Sequence, residues 1–68
     1  MDLVNVNGSA APLPVPATVA ALVAALGGAG PSGIAVALNG AVVPRSAWDA
    51  TALHPGDRVE VLTAAQGG

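Results

Sequence analysis

The chain opens on an alternation. In "DLVNVNG", Val4 and Val6 fall on one side and Leu3, Asn5 and Asn7 on the other, the period of two that a half-buried strand requires. Asn7-Gly8 follows, the dipeptide best suited to the positive φ angles of a tight hairpin. The return segment, "SAAPLPVP", carries prolines at 12, 14 and 16. They cannot donate ladder hydrogen bonds, so this segment predicts an edge strand, and one that discourages pairing with a second molecule. At Thr18 the period changes. Val19, Leu22, Val23 and Leu26 recur as one helical stripe. Thr18 is placed to cap it, the intervening alanines favour helix, and Gly27-Gly28 predicts its end.

"GAGPSG" then reads as a connector, and "IAVALN" as a strand that meets a second hairpin signal at Asn39-Gly40. "AVV" is a short return strand ended by Pro44. "RSAWDAT" has no clear period and predicts an irregular crossing with about one helical turn. "HPGD" is a turn by composition. "RVEVLT" alternates again, with Val59 and Val61 inward and Arg58 and Glu60 outward. The expected order is β-β-α-β-β-β. An α+β fold, one helix covering one face of a mixed sheet, buries these stripes most economically.

Composition narrows the function. The 68 residues suit one domain, and much of the apolar 53% is alanine, with one tryptophan, no phenylalanine or tyrosine and no cysteine. Valine and leucine must therefore build the core, without help from disulfides or thiolate metal sites. Two basic residues, Arg45 and Arg58, in a chain of net charge −2 cannot form the cationic stripe that nucleic acid demands. Apolar runs break well before the roughly 18 residues of a membrane span, and the start lacks the basic region of a secretory signal. A soluble, cytoplasmic protein is expected.

Catalytic chemistry finds little support. His54 precedes Pro-Gly in a turn, without the orienting partner and nucleophile that a catalytic base needs. Ser9, Ser32 and Ser46 lie in no nucleophile elbow. Asp2, Asp49, Asp57 and Glu60 show no metal-ligand spacing. "GGAGPSG" lacks the Lys-Ser/Thr ending of a phosphate loop and follows a helix. What stands out is the end, "TAAQGG", where Gly67-Gly68 directly follows a strand. Glycine is costly to order and adds nothing to a core. A frayed terminus is one explanation. The other is that the tail is the reactive part of the molecule and the rest of the chain positions it.

Three stretches favour the second explanation: "TVAALVAAL", "VALNGAVVPRSAW" and "GDRVEVLTAAQGG". Together they resemble the ubiquitin-like β-grasp sulfur carriers, most closely the thiamine-biosynthesis (ThiS-type) family, over essentially the whole chain. The resemblance implies a β-grasp domain at 1–63, with a mixed sheet of four to five strands and one main helix. Residues 64–68 would form a flexible diglycine tail. It implies a protein co-substrate with no catalytic residues and no cofactor of its own. An E1-like adenylyltransferase (ThiF type) would use ATP and Mg²⁺ to adenylate the Gly68 carboxylate. A persulfide donor would convert it to a thiocarboxylate, and thiazole synthase (ThiG type) would take the sulfur. Gly67 and Gln66 would deliver the tail, while Arg45, Arg58, Glu60 and Leu62 are the candidate partner contacts. Arg45 could instead form an exposed structural ion pair, and Trp48 is expected to cover one end of the core. A molybdopterin-synthase small subunit, another sulfur carrier, a ubiquitin-like modifier and a β-grasp interaction domain with an inert tail are the alternatives.

Overall fold

The computed structural model describes residues 2–26 and 33–63. Strands β1 (Leu3–Val6) and β2 (Ser9–Pro12) form the first hairpin, followed by helix α1 (Val19–Ala25). Strands β3 (Ile34–Leu38) and β4 (Ala41–Val43) form the second, followed by a 3-10 helix over Arg45–Ala50 and then β5 (Arg58–Thr63). All five strands join one sheet in the order β2-β1-β5-β3-β4. The last strand in sequence is thus the middle one in space. It runs parallel to β1, with Asn5 opposite Arg58, and antiparallel to β3, with Val36 opposite Val61.

Alternation decides the two faces. Val4 and Val6 of β1, Val36 of β3, Val43 of β4 and Val59 of β5 turn to one side and meet Val19, Leu22 and Val23 of α1. Val4, Val19, Val36 and Val59 are essentially inaccessible to solvent. Val61 is partly buried against the same cluster. Trp48 and Leu53 complete the core, and burial of this apolar surface is the main force holding so small a sheet closed.

Both hairpins use the expected dipeptide. Asn7 and Asn39 adopt φ of 52° and 50°, and the glycines after them 89° and 88°, the consecutive positive angles of a two-residue hairpin loop. Thr18 caps α1, its hydroxyl accepting from Ala21 N at 3.1 Å. At "HPGD" the Asp57 carboxylate accepts from His54 N at 2.8 Å, and His54 itself is an exposed turn residue.

Three expectations are corrected. The helix ends at Ala25, so Leu26 becomes its C-cap and lies half exposed instead of completing the buried stripe. The return strand stops at Pro12; Leu13 N still donates to Asp2 O at 2.9 Å, but Pro14 and Pro16 have no N–H with which to extend the ladder. The crossing after Pro44 is a 3-10 helix of six residues, longer than a single turn and anchored by burial of Trp48. Residues 27–32, which hold Gly27-Gly28 and all of the connector but Gly33, lie outside the described residues, as does the tail at 64–68.

Candidate functional site

Because β5 is central and packs on the core through one face only, its other face lies open in the middle of the sheet. Arg58, Glu60 and Leu62 all point there and are exposed, Leu62 to 68%. Their partners across β3 are small: Ala37 lies opposite Glu60 and Ala35 opposite Leu62. The three β5 side chains therefore stand above their surroundings on this side. Toward β1 they border a depression of about 610 Å3 that Asn5, Asn7 and Gly8 also line. Among the described residues neither Arg58 nor Glu60 takes part in an ion pair. A free cation, a free anion and an apolar side chain in a row suit a protein surface with complementary charge.

Two asparagines fix this strand. Beyond Val6 the chain turns away at Asn7, so the backbone of β1 cannot follow β5 further. The main-chain pairing that does form runs from Asn5 N to Asp57 O and from Asn7 N to Val59 O, both 2.9 Å. The Asn7 side chain then takes over. Its Oδ1 accepts from Val61 N at 2.8 Å and its Nδ2 donates to Val61 O at 3.1 Å. A carboxamide, having one donor and one acceptor side by side, substitutes for a peptide group.

Asn39 performs the same service at the start of β5. Its backbone N donates to Arg58 O at 2.7 Å, and its Oδ1 accepts from Arg58 N at 2.9 Å. Its Nδ2 donates to the Asp57 carboxylate at 3.1 Å. Bonds from His54 N and from Asn39, with the nearby His54 ring, hold Asp57 below the usual carboxylate range. Sequence reading gives Asn7 an outward strand position, Asn39 a strand end and both a hairpin turn, but no bond to β5. The usable signal was their shared context, each ending a strand before glycine, but the bond to a strand more than fifty residues away (|i−j| of 54) is not a local pattern.

The structure groups only part of the expected contact set. Arg58, Glu60 and Leu62 lie together on the open face. Arg45 does not join them: its guanidinium lies over the Trp48 ring, 5.4 Å from the centroid, and it forms no ion pair among the described residues. Trp48 is buried, with Nε1 donating to Val43 O at 3.0 Å. Arg45 therefore covers the rim of the core through a cation–π contact. Gln66, Gly67 and Gly68 lie outside the described residues. No group of three or more metal-binding side chains occurs among the described residues, and none of their helices is long and apolar enough to cross a membrane.

Comparison with known proteins is consistent with this arrangement. No curated protein matches the chain. The crystal structure of a thiamine biosynthesis protein (ThiS) from Geobacter metallireducens is similar, with a TM-score of 0.75 and 35% sequence identity over 90% of this chain and 91% of that one. The likeness extends to the mixed five-stranded β-grasp sheet with one α-helix packed on it. The ThiS family model matches residues 4–68, from the first buried valine through the final glycine, and the chain belongs to that family.

Proposed function

We propose that this protein is a sulfur carrier of thiamine biosynthesis, acting as a co-substrate of partner enzymes. The observation that carries the reading is the course of β5. The central strand of the sheet presents Arg58, Glu60 and Leu62 on an open face and ends at Thr63, just before "AAQGG". One element thus supplies both the docking surface and the root of the reactive end.

The chemistry follows from what a carboxylate lacks. It is a poor electrophile, so the Gly68 carboxylate oxygen attacks the α-phosphorus of ATP in an E1-like adenylyltransferase (ThiF type), releasing pyrophosphate. The ATP and Mg²⁺ belong to that enzyme. The terminal sulfur of a donor persulfide then attacks the acyl carbon and displaces AMP. Thiol reduction of the resulting S–S bond leaves a thiocarboxylate, whose sulfur thiazole synthase (ThiG type) takes for the thiazole ring. Gly67 and Gly68 lack a Cβ that would obstruct a narrow channel, and Gln66 adjoins them. The entropy lost when the end is ordered is offset by contacts of the β5 face with the partner. This scheme places the protein in the cytoplasm with its ATP-dependent partner.

The test is incubation with the activating enzyme, ATP, Mg²⁺ and a persulfide donor, followed by mass spectrometry of the intact chain. Replacement of one oxygen by sulfur at Gly68 is expected. No exchange, with an enzyme shown to be active on another carrier, overturns the reading. Isopeptide conjugates on a denaturing gel would identify a protein modifier instead.

A further inference from the structure

Asn-Gly occurs twice in this chain, and sulfur delivery uses neither pair as chemistry. Asparagine is a thermolabile residue, most so before glycine, whose unhindered nitrogen can attack the carboxamide carbon. Asn7-Gly8 and Asn39-Gly40 share a turn conformation, with nearly equal φ at both positions, and all four residues are exposed. Their carboxamides are also polarised alike, Oδ1 of Asn7 accepting from Val61 N at 2.8 Å and that of Asn39 from Arg58 N at 2.9 Å.

The nucleophiles differ. Gly8 N donates to Asn5 Oδ1 at 2.8 Å, so its proton is held and its nitrogen is kept in place. The residue at the same offset before Asn39 is Ala37, which has no acceptor. Among the described residues Gly40 N donates no hydrogen bond. Asn7 is thus restrained at both reacting groups and Asn39 at one.

We propose that Asn39 is a site of spontaneous deamidation in the folded protein, and that Asn5 shields Asn7 from the same reaction. Base removes the Gly40 amide proton, and the nitrogen attacks Cγ of Asn39. The Cγ–Nδ2 bond breaks, Nδ2 takes up a proton from water, and ammonia leaves a five-membered succinimide. Water then opens either carbonyl, giving aspartate or an isoaspartyl linkage at position 39. No oxidant or cofactor is needed. In the aspartate product a second carboxylate faces Asp57 where Nδ2 had donated to it at 3.1 Å. An attraction becomes a like-charge contact, and the start of β5 loosens.

The experiment ages the full-length chain in mildly alkaline buffer and locates the conversion of –NH2 to –OH by fragmentation of the intact protein. Asn39 is expected to convert several-fold faster than Asn7 in the native state. In denaturant, where both are ordinary Asn-Gly pairs, the two rates should converge. Asn5→Ala should raise the Asn7 rate toward that of Asn39, whereas Asn5→Asp, which keeps an acceptor for Gly8 N, should not. Equal native rates, a faster Asn7 or no native conversion at Asn39 overturns the proposal. A folded Asn5→Ala variant with Asn7 still slow overturns the shielding role. If Asn5→Ala does not fold, Asn5→Asp and the native-to-denatured comparison of the unaltered chain still decide.

Discussion

Asn7 grips Val61 with both halves of its carboxamide, Oδ1 to the amide at 2.8 Å and Nδ2 to the carbonyl at 3.1 Å. Two positions that nearly span the chain thus meet where the central strand nears its end. Asn7→Gly preserves the left-handed turn and removes both bonds. Since the site is exposed, water replaces part of what is lost, and the variant should be less stable by about 1 kcal/mol. Hydrogen exchange at the Val61 amide should accelerate beyond that global change. Unaltered protection there would show that the carboxamide does not hold the strand.

The open face of β5 can be tested without disturbing the core. Leu62→Ala and Arg58→Glu alter exposed side chains and should leave the unfolding midpoint nearly unchanged. Each should weaken binding to the proposed activating enzyme by about tenfold, or ~1.4 kcal/mol. Titration calorimetry reads both, and Arg58→Glu should also slow association at low salt. Full affinity in both variants would move the docking surface elsewhere.

Asp57 links pH to stability. Bonds from His54 N and Asn39 depress its pKa in the folded protein, so the unfolded chain binds a proton more readily. The stability it confers is complete above the ordinary carboxylate range. It is lost as pH falls through that range toward the lower folded value. Asp57→Asn should lower stability at neutral and alkaline pH and flatten this part of the acid limb, so that the two proteins converge as pH falls. Urea midpoints measured from neutral to acid pH give the comparison, and parallel curves for the two proteins would refute the assignment.

Trp48 contributes through one polar bond as well as through its area. Trp48→Phe leaves Val43 O without the Nε1 donor and removes part of the ring, at a cost of about 1–3 kcal/mol. Arg45→Ala removes only the stacked cation and should cost about 0.5–1 kcal/mol. Circular dichroism during denaturation ranks the two, and the reverse order would contradict the geometry.

Much of the fold was legible because each buried stripe is local. Val4 and Val6, the α1 valines with Leu22, and Val59 announce their faces by spacing alone, and both Asn-Gly turns behave as their dipeptide requires. The outward row Arg58–Glu60 was legible for the same reason. What escaped sequence reading was tertiary. Leu26 continues the helical period, but the helix ends before it. Arg45 suggests an ion pair until Trp48 is seen beneath it. The two carboxamides that fasten β5 act across the sheet, and nothing adjacent to Asn7 announces Val61.

The placement of β5 between β1 and β3 has a consequence for biosynthesis. On the ribosome the two hairpins emerge first, yet neither pairs with the other; the strand that unites them leaves the exit tunnel after both. Long-range pairing of this kind is acquired late, so a nascent chain lacking residues 58–63 cannot close its sheet. A prematurely terminated product would therefore lack the compact body as well as the diglycine, leaving unfolded fragments for proteolysis instead of folded decoys that compete with the intact chain.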